Sequence, residues 1–147
     1  MASSREYLLA ETIKDKWDST AELGVSCPGG LKFVITKQPS DTSAVTEPYC
    51  NFTITITDVK KQAGTAVQAI TALVRFEVYG GVALEVSNAL GDIQNTFQWG
   101  TFLNDPTGGK FLSMTAEPGS RMAQEMWARG GKINWQGLHV AKVVFSL

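Results

Sequence analysis

The stretch TEPYCNFTITITD, residues 46–58, constrains this chain more than any other, because its side chains alternate without a break. Successive residues of a β-strand point to opposite faces of a sheet. Cys50, Phe52, Ile54 and Ile56 therefore share one face, and Tyr49, Asn51, Thr53, Thr55 and Thr57 share the other. The first set needs a hydrophobic core. The second is polar but uncharged, so it suits either water or another protein surface. Threonine favours extended backbone and hydrogen-bonds without the desolvation cost of a charge.

A second alternating run complements the first. Ile70, Ala72, Val74, Phe76 and Val78 alternate with Thr71, Leu73, Arg75, Glu77 and Tyr79, which predicts a hairpin neighbour reached through a turn at 58–66. Gly80-Gly81 stops that strand. Val82, Val86, Ala89, Ile93 and Phe97, joined by Ala83 and Leu90, then recur every three or four residues and predict an amphipathic helix over 82–97. An earlier helix is predicted over 4–23, from Ser3 and Glu6 at capping-box spacing and from Leu9, Ile13 and Trp17, flanked by Ala10 and Ala21. Pro28-Gly29-Gly30 breaks it ahead of a strand at 31–37. Residues 38–48 hold two prolines among Ser, Thr and Asp and read as a long loop.

Toward the carboxyl end, Asn104-Asp105-Pro106 and Gly108-Gly109 mark a second loop over 98–110. A strand at 111–116 ends at Pro118-Gly119. Residues 121–129 read as a short helix, with Met122 and Met126 one turn apart. A final strand over 133–147 places His139, Ala141, Val143, Phe145 and Leu147 on one face. Runs of strands between helices favour a single α+β domain over residues 1–147. Its expected form is a largely antiparallel twisted sheet of about four to five strands, packed on one face by two helices.

Composition narrows the function. A chain of 147 residues buries roughly two thirds of its unfolded surface and needs no disulfide or metal to hold it together. Its net charge of -1 offers no basic field for a phosphate backbone, so free nucleic acid is not an expected ligand. Only 18% of residues are charged, below the usual value of about 25%, while 44% are apolar, which favours burial of some exterior against other subunits. No apolar run approaches the ~18 residues of a membrane span, and a soluble, cytoplasmically made protein without membrane contact is expected. Cys27 and Cys50 are expected to be reduced, partly buried thiols.

No catalytic, cofactor or metal constellation emerges. The lone histidine, His139, lies in an apolar strand and reads as structural, and the two cysteines have no nearby ligand partners. Gly80-Gly81 lacks the further residues of a phosphate cradle. Glu77 with Glu85, or Asp58 with Glu77, could pair as acid and base, but both pairs are more simply solvated positions. Trp99, Phe102, Trp127 and Trp135 gather in loop and arm regions, where aromatics serve either as satellite core or as interface anchors, and Met122 and Met126 carry the same choice.

The order of these elements, with PGGLKF, EPYCNFTI, ALVRFEVYGG and VALEVSNALGDIQNTF in succession, resembles the tail-terminator, or tail-completion, proteins of long-tailed bacteriophages and prophages. The Pro48-Tyr49 pair opening the strand after the loop is part of that likeness. The resemblance implies a non-enzymatic virion protein, assembled in the host cytoplasm as a homo-oligomeric ring, typically a hexamer, at the head-proximal end of the tail tube. Its partners would be the tail tube protein and a neck or stopper protein, with DNA only as passing cargo. Contacts would come from residues 38–47, 99–110 and 118–132. Together with the uncharged strand face, the implied interface residues are Tyr49, Thr53, Thr55, Thr57, Trp99, Phe102, Met122, Met126 and Trp127. The alternatives are a neck adaptor or minor capsid protein, a monomeric module enclosing a small apolar ligand among Phe52, Phe76 and Phe97, or an enzyme using Glu77.

Overall fold

The computed structural model describes residues 3–34, 46–61, 68–124 and 134–147. Their order is α1 (Arg5–Asp18), α2 (Ala21–Ser26), β1 (Leu31–Phe33), β2 (Tyr49–Lys61), β3 (Gln68–Gly80), α3 (Ala83–Thr96), β4 (Lys110–Ala116), β5 (Arg121–Gln124) and β6 (Trp135–Ser146). The fold is α+β. Six strands form one open sheet in the order β1-β2-β3-β6-β4, with β5 also paired to β6. All pairings are antiparallel except β1 with β2.

The first predicted helix is two helices. The Ser4 hydroxyl, one residue later than the expected cap, accepts the Tyr7 amide at 3.2 Å and starts α1. The helix stops at Asp18 because Ser19 and Thr20 both turn their hydroxyls onto the Lys16 carbonyl, at 2.9 and 2.8 Å. Short hydroxyl side chains compete in this way with the backbone ladder. Thr20 then adopts extended geometry and α2 starts afresh. Leu9, Ile13 and Trp17 are buried as their spacing demands, whereas Ala21 is exposed.

The hairpin of β2 and β3 keeps the predicted alternation through Ile56, opposite Ala72. A bulge then inserts Thr57, so that Asp58, not Thr57, stands opposite Thr71. Thr57 leaves the uncharged face and donates its hydroxyl to the Thr71 carbonyl at 3.2 Å. The expected turn at 58–66 begins later, since Asp58 to Lys61 remain in β2.

Beyond Pro118 and Gly119, the latter at φ +110, the chain forms β5 over Arg121–Gln124, where the first part of the helix expected over 121–129 would lie; residues 125–129 are outside the described residues. Arg121 to Gln124 pair with Leu138 to Trp135 of β6. Because β4 reaches only Ala141 to Ser146, the far side of β6 would otherwise present unpaired backbone here. Tertiary demand outweighed the one-turn spacing of Met122 and Met126, the second of which lies outside the described residues.

One face of the sheet carries the core. Cys50, Phe52, Val74, Phe76, Val78, Ala141, Val143 and Phe145 are fully buried beneath Leu9, Ile13, Val86, Ala89 and Ile93 of the helices. Phe52, Phe76 and Phe97 stack in series, with centroids 6.0 and 4.5 Å apart, and fill the space that a central ligand chamber would need. Val82, assigned to the helix stripe by its spacing, caps α3 and is exposed.

Three short motifs meet at one corner. The Gly29 amide donates to the Pro48 carbonyl at 2.9 Å, and a Cβ on Gly29 would come within 2.0 Å of the Thr46 carbonyl oxygen. The Gly81 amide donates to the Glu47 carboxylate at 2.9 Å, and a Cβ on Gly80 would meet both Val86 and Pro48. Only glycine allows such close backbone approach. Cys27 and Cys50 sit beside this corner as free, buried thiols. Desolvation pushes the Cys27 thiol up to about 12 and raises Cys50 as well.

Candidate docking surface

The loop between α3 and β4 is anchored from both sides. At its root, the Phe97 carbonyl accepts a hydrogen bond from Nε2 of buried His139 at 2.7 Å, and the imidazole stacks on Phe76 at 6.1 Å. That bond assigns the proton to Nε2, and Nδ1 has no partner among the described residues. Burial lowers the His139 pKa from its ordinary 6.5, against the smaller opposing pull of the Phe97 carbonyl.

Thr101 ties the first turn of the loop, donating its hydroxyl to the Thr96 carbonyl at 2.6 Å and accepting the Gln98 amide at 3.3 Å. Leu103 and Pro106 plug inward. The Asp105 carboxylate accepts the Phe111 amide at 3.0 Å, and Gly109 lies so close to the Ser146 carbonyl that a Cβ would come within 2.0 Å. With its backbone held, the loop presents Trp99, 81% exposed, and Phe102, 69% exposed. Phe102 meets Phe111 edge-on at 5.5 Å, and Leu112 is exposed where a bulge interrupts β4.

Fully burying a side chain the size of Phe is worth about 1.5–3 kcal/mol relative to leaving it in water. Threonine hydroxyls gain far less from the same cover. The preformed aromatic loop therefore has more to gain from a partner than the uncharged strand face.

That strand face is itself divided. At the β2 start, Tyr49 is buried and stacks on Tyr79 at 5.5 Å, and Asn51 is buried beside them. Tyr79 bonds Glu77, which also pairs with Arg75 at 2.7 Å, and Gln136 donates to the Tyr79 hydroxyl at 3.3 Å. Farther along, Thr53 is half-buried and Thr55 is exposed, while Thr57, displaced from this face by the bulge, is exposed as well. Met122 is just exposed on β5, while Met126 and Trp127 lie outside the described residues.

The proposed carboxylate pairs do not form. Glu77 lies on the open face, whereas Glu85 is on α3, which packs on the opposite one. Asp58, opposite Thr71, is six residues along β3 from Glu77 and lies near Lys60 at 3.8 Å. Among the described residues, no three His, Cys, Asp or Glu side chains are placed to hold a metal. No helix among them is long and apolar enough to cross a membrane. An open cleft of about 390 Å³ between α1 and β1 is lined by Tyr7, Ala10, Glu11, Lys14, Lys32 and Phe33.

Sequence reasoning missed further exposed apolar side chains, Val25 on α2 and Val82 and Leu84 at the start of α3. The signal was present for Leu84, which lies across the helix from the Val86 stripe.

No family model and no curated protein matches the sequence. The fold, however, has a counterpart in a chain from the virion of a native gene transfer agent (GTA) particle. The match covers 92% of this chain and 94% of that one, with a TM-score of 0.59 and 12% identity. At that identity, the likeness is one of fold.

Proposed function

We propose that this chain is a structural virion protein, a subunit of a homohexameric ring that ends the tail tube at its head-proximal end and joins tail to neck. The observation that carries this reading is the likeness to a GTA virion chain, which runs nearly end to end in both proteins. The hydrogen-bonded loop bearing Trp99 and Phe102 supports it, because exposed aromatics on a tied backbone suit the energetic anchors of an interface. The filled stack of Phe52, Phe76 and Phe97 weighs against a monomeric module with a central ligand chamber. In this reading, the tube protein and a neck protein cover opposite rims of the ring, and a weakly charged subunit lets DNA pass without gripping it.

Removing the gene from its phage or prophage and imaging the lysate tests the proposal. Tubes of uncontrolled length that fail to join heads are the expected result. Tails of normal length that still lack heads would move the protein to a neck adaptor, and fully normal particles would end the structural reading.

A further inference from the structure

The end of the sheet away from β4 is β1, three residues long and paired on one side only, with β2. Its hydrogen bonds fix which backbone groups are left over. The Gly30 carbonyl accepts the Cys50 amide and the Val34 amide donates to the Phe52 carbonyl, both at 2.9 Å, so the even-numbered residues of this parallel pair point toward β2. Leu31 and Phe33 therefore direct their N–H and C=O groups outward, and nothing pairs with them among the described residues. Unpaired backbone along a sheet edge is a template for one more strand.

The space beside this edge has the size of a short extended segment. An open cleft of about 390 Å³ separates β1 from α1, whose Tyr7, Ala10, Glu11 and Lys14 line it at helical spacing. From Tyr7 to Lys14 the helix rises about 10.5 Å, and three extended residues, the length of β1, span about 10 Å. The cleft is aromatic at its base, where Tyr7 meets Phe33 edge-on at 6.4 Å and Phe33 packs on Phe52 at 5.1 Å. Lys14 and Lys32 bring positive charge to its two walls. Among the described residues, neither lysine forms an ion pair, and Glu11 is the single carboxylate on the lining.

We infer that the cleft between α1 and β1 binds an extended, acidic segment of a partner protein, which adds to β1 as a further strand. The outward groups of Leu31 and Phe33 select extended chain over a helix, because a strand offers donors and acceptors at the spacing of the edge. Tyr7 and Phe33 cover an apolar side chain of the guest, and Lys14 and Lys32 select a carboxylate. Pairing of β1 with β1 of a second copy is disfavoured, since it would bring the two Lys32 side chains together. The inference goes beyond the ring reading and stands apart from it, because it concerns one edge of a single chain.

Amide NMR of the dilute, isotope-labelled full chain, titrated with the peptide acetyl-Thr-Val-Asp-Val-Thr-amide, tests it. The expected result is saturable shifts of the Leu31 and Phe33 amides. Lys14→Glu with Lys32→Glu, both at exposed positions, should weaken binding about tenfold or more and leave the rest of the spectrum unchanged. The same peptide N-methylated at both Val residues and at Asp cannot donate to the edge and should lose binding. Equal binding of the N-methylated peptide would show a side-chain groove without strand addition, and an absence of shifts up to millimolar peptide would remove the site; either overturns the inference. Leu31 and Phe33 amides that broaden with protein concentration alone would show two copies pairing there and would overturn the choice of partner.

Discussion

Phe97 and Trp99 are two residues apart, yet the first is fully buried, its ring centroid 4.5 Å from that of Phe76, while the second is 81% exposed on a loop tied by the Thr101 hydroxyl. The inner stack of Phe52, Phe76, Phe97 and His139 has collected its apolar stabilisation within the chain. The outer group of Trp99, Phe102 and Leu112 has not. Both are aromatic and both lie on tied backbone, so anchoring alone does not separate buried from exposed; what separates them is whether the chain supplies a cover.

The comparison breaks most severely at Val86, which is fully buried under α3 and touches the space beside Gly80 and Gly137. Val86→Asp should abolish the native fold, because an unpaired buried charge costs several kcal/mol against a total stability of roughly 5–15 kcal/mol. Loss of amide dispersion in an NMR spectrum would show it, and a well-dispersed spectrum would contradict the placement of α3. Phe76→Ala, at the centre of the stack, should cost about 3–5 kcal/mol by urea unfolding. A cost below about 1 kcal/mol would mean that the stack collapses around the gap.

His139 links the two regions and gives the comparison a pH dependence. Its folded pKa lies below the ordinary 6.5, so at higher pH the ring is neutral in both states and its contribution is intact. As pH falls through 6.5, the unfolded chain takes up its proton first, and stability is lost until the folded ring also titrates. The urea midpoint should therefore drop between about pH 7.5 and about pH 5.5, and His139→Phe should flatten part of that slope. An unchanged slope in the variant would assign the effect elsewhere.

The outer group should respond in the opposite sense. Trp99→Ser with Phe102→Ser should leave stability within about 0.5 kcal/mol, as surface changes usually do, while self-association measured by sedimentation is lost. Thr55→Lys, on the exposed part of the uncharged strand, should change stability least and hinder assembly more weakly than the aromatic pair. If Thr55→Lys proved the more damaging, the strand face rather than the loop would be the principal contact.

The sequence by itself determined which residues share a face wherever one period runs unbroken. Strict alternation put Phe52 and Phe76 on the buried faces of their strands and aligned His139 with Phe145, and the three- and four-residue stripe from Val86 to Phe97 found the buried side of α3. These patterns are local, since backbone geometry alone dictates where successive side chains point. Exceptions with a local cause were also legible in principle, such as the hydroxyls of Ser19 and Thr20 that end α1. Only the tertiary structure decided that Arg121 to Gln124 extend as β5, that Thr57 drops out at a bulge, and that Tyr49 is closed over while Trp99 is left outside. Each of those outcomes depends on a neighbour distant in the chain, an unpaired stretch of β6, the register of β3 or the ring of Tyr79, and periodicity carries no record of which distant surface will arrive to cover a side chain.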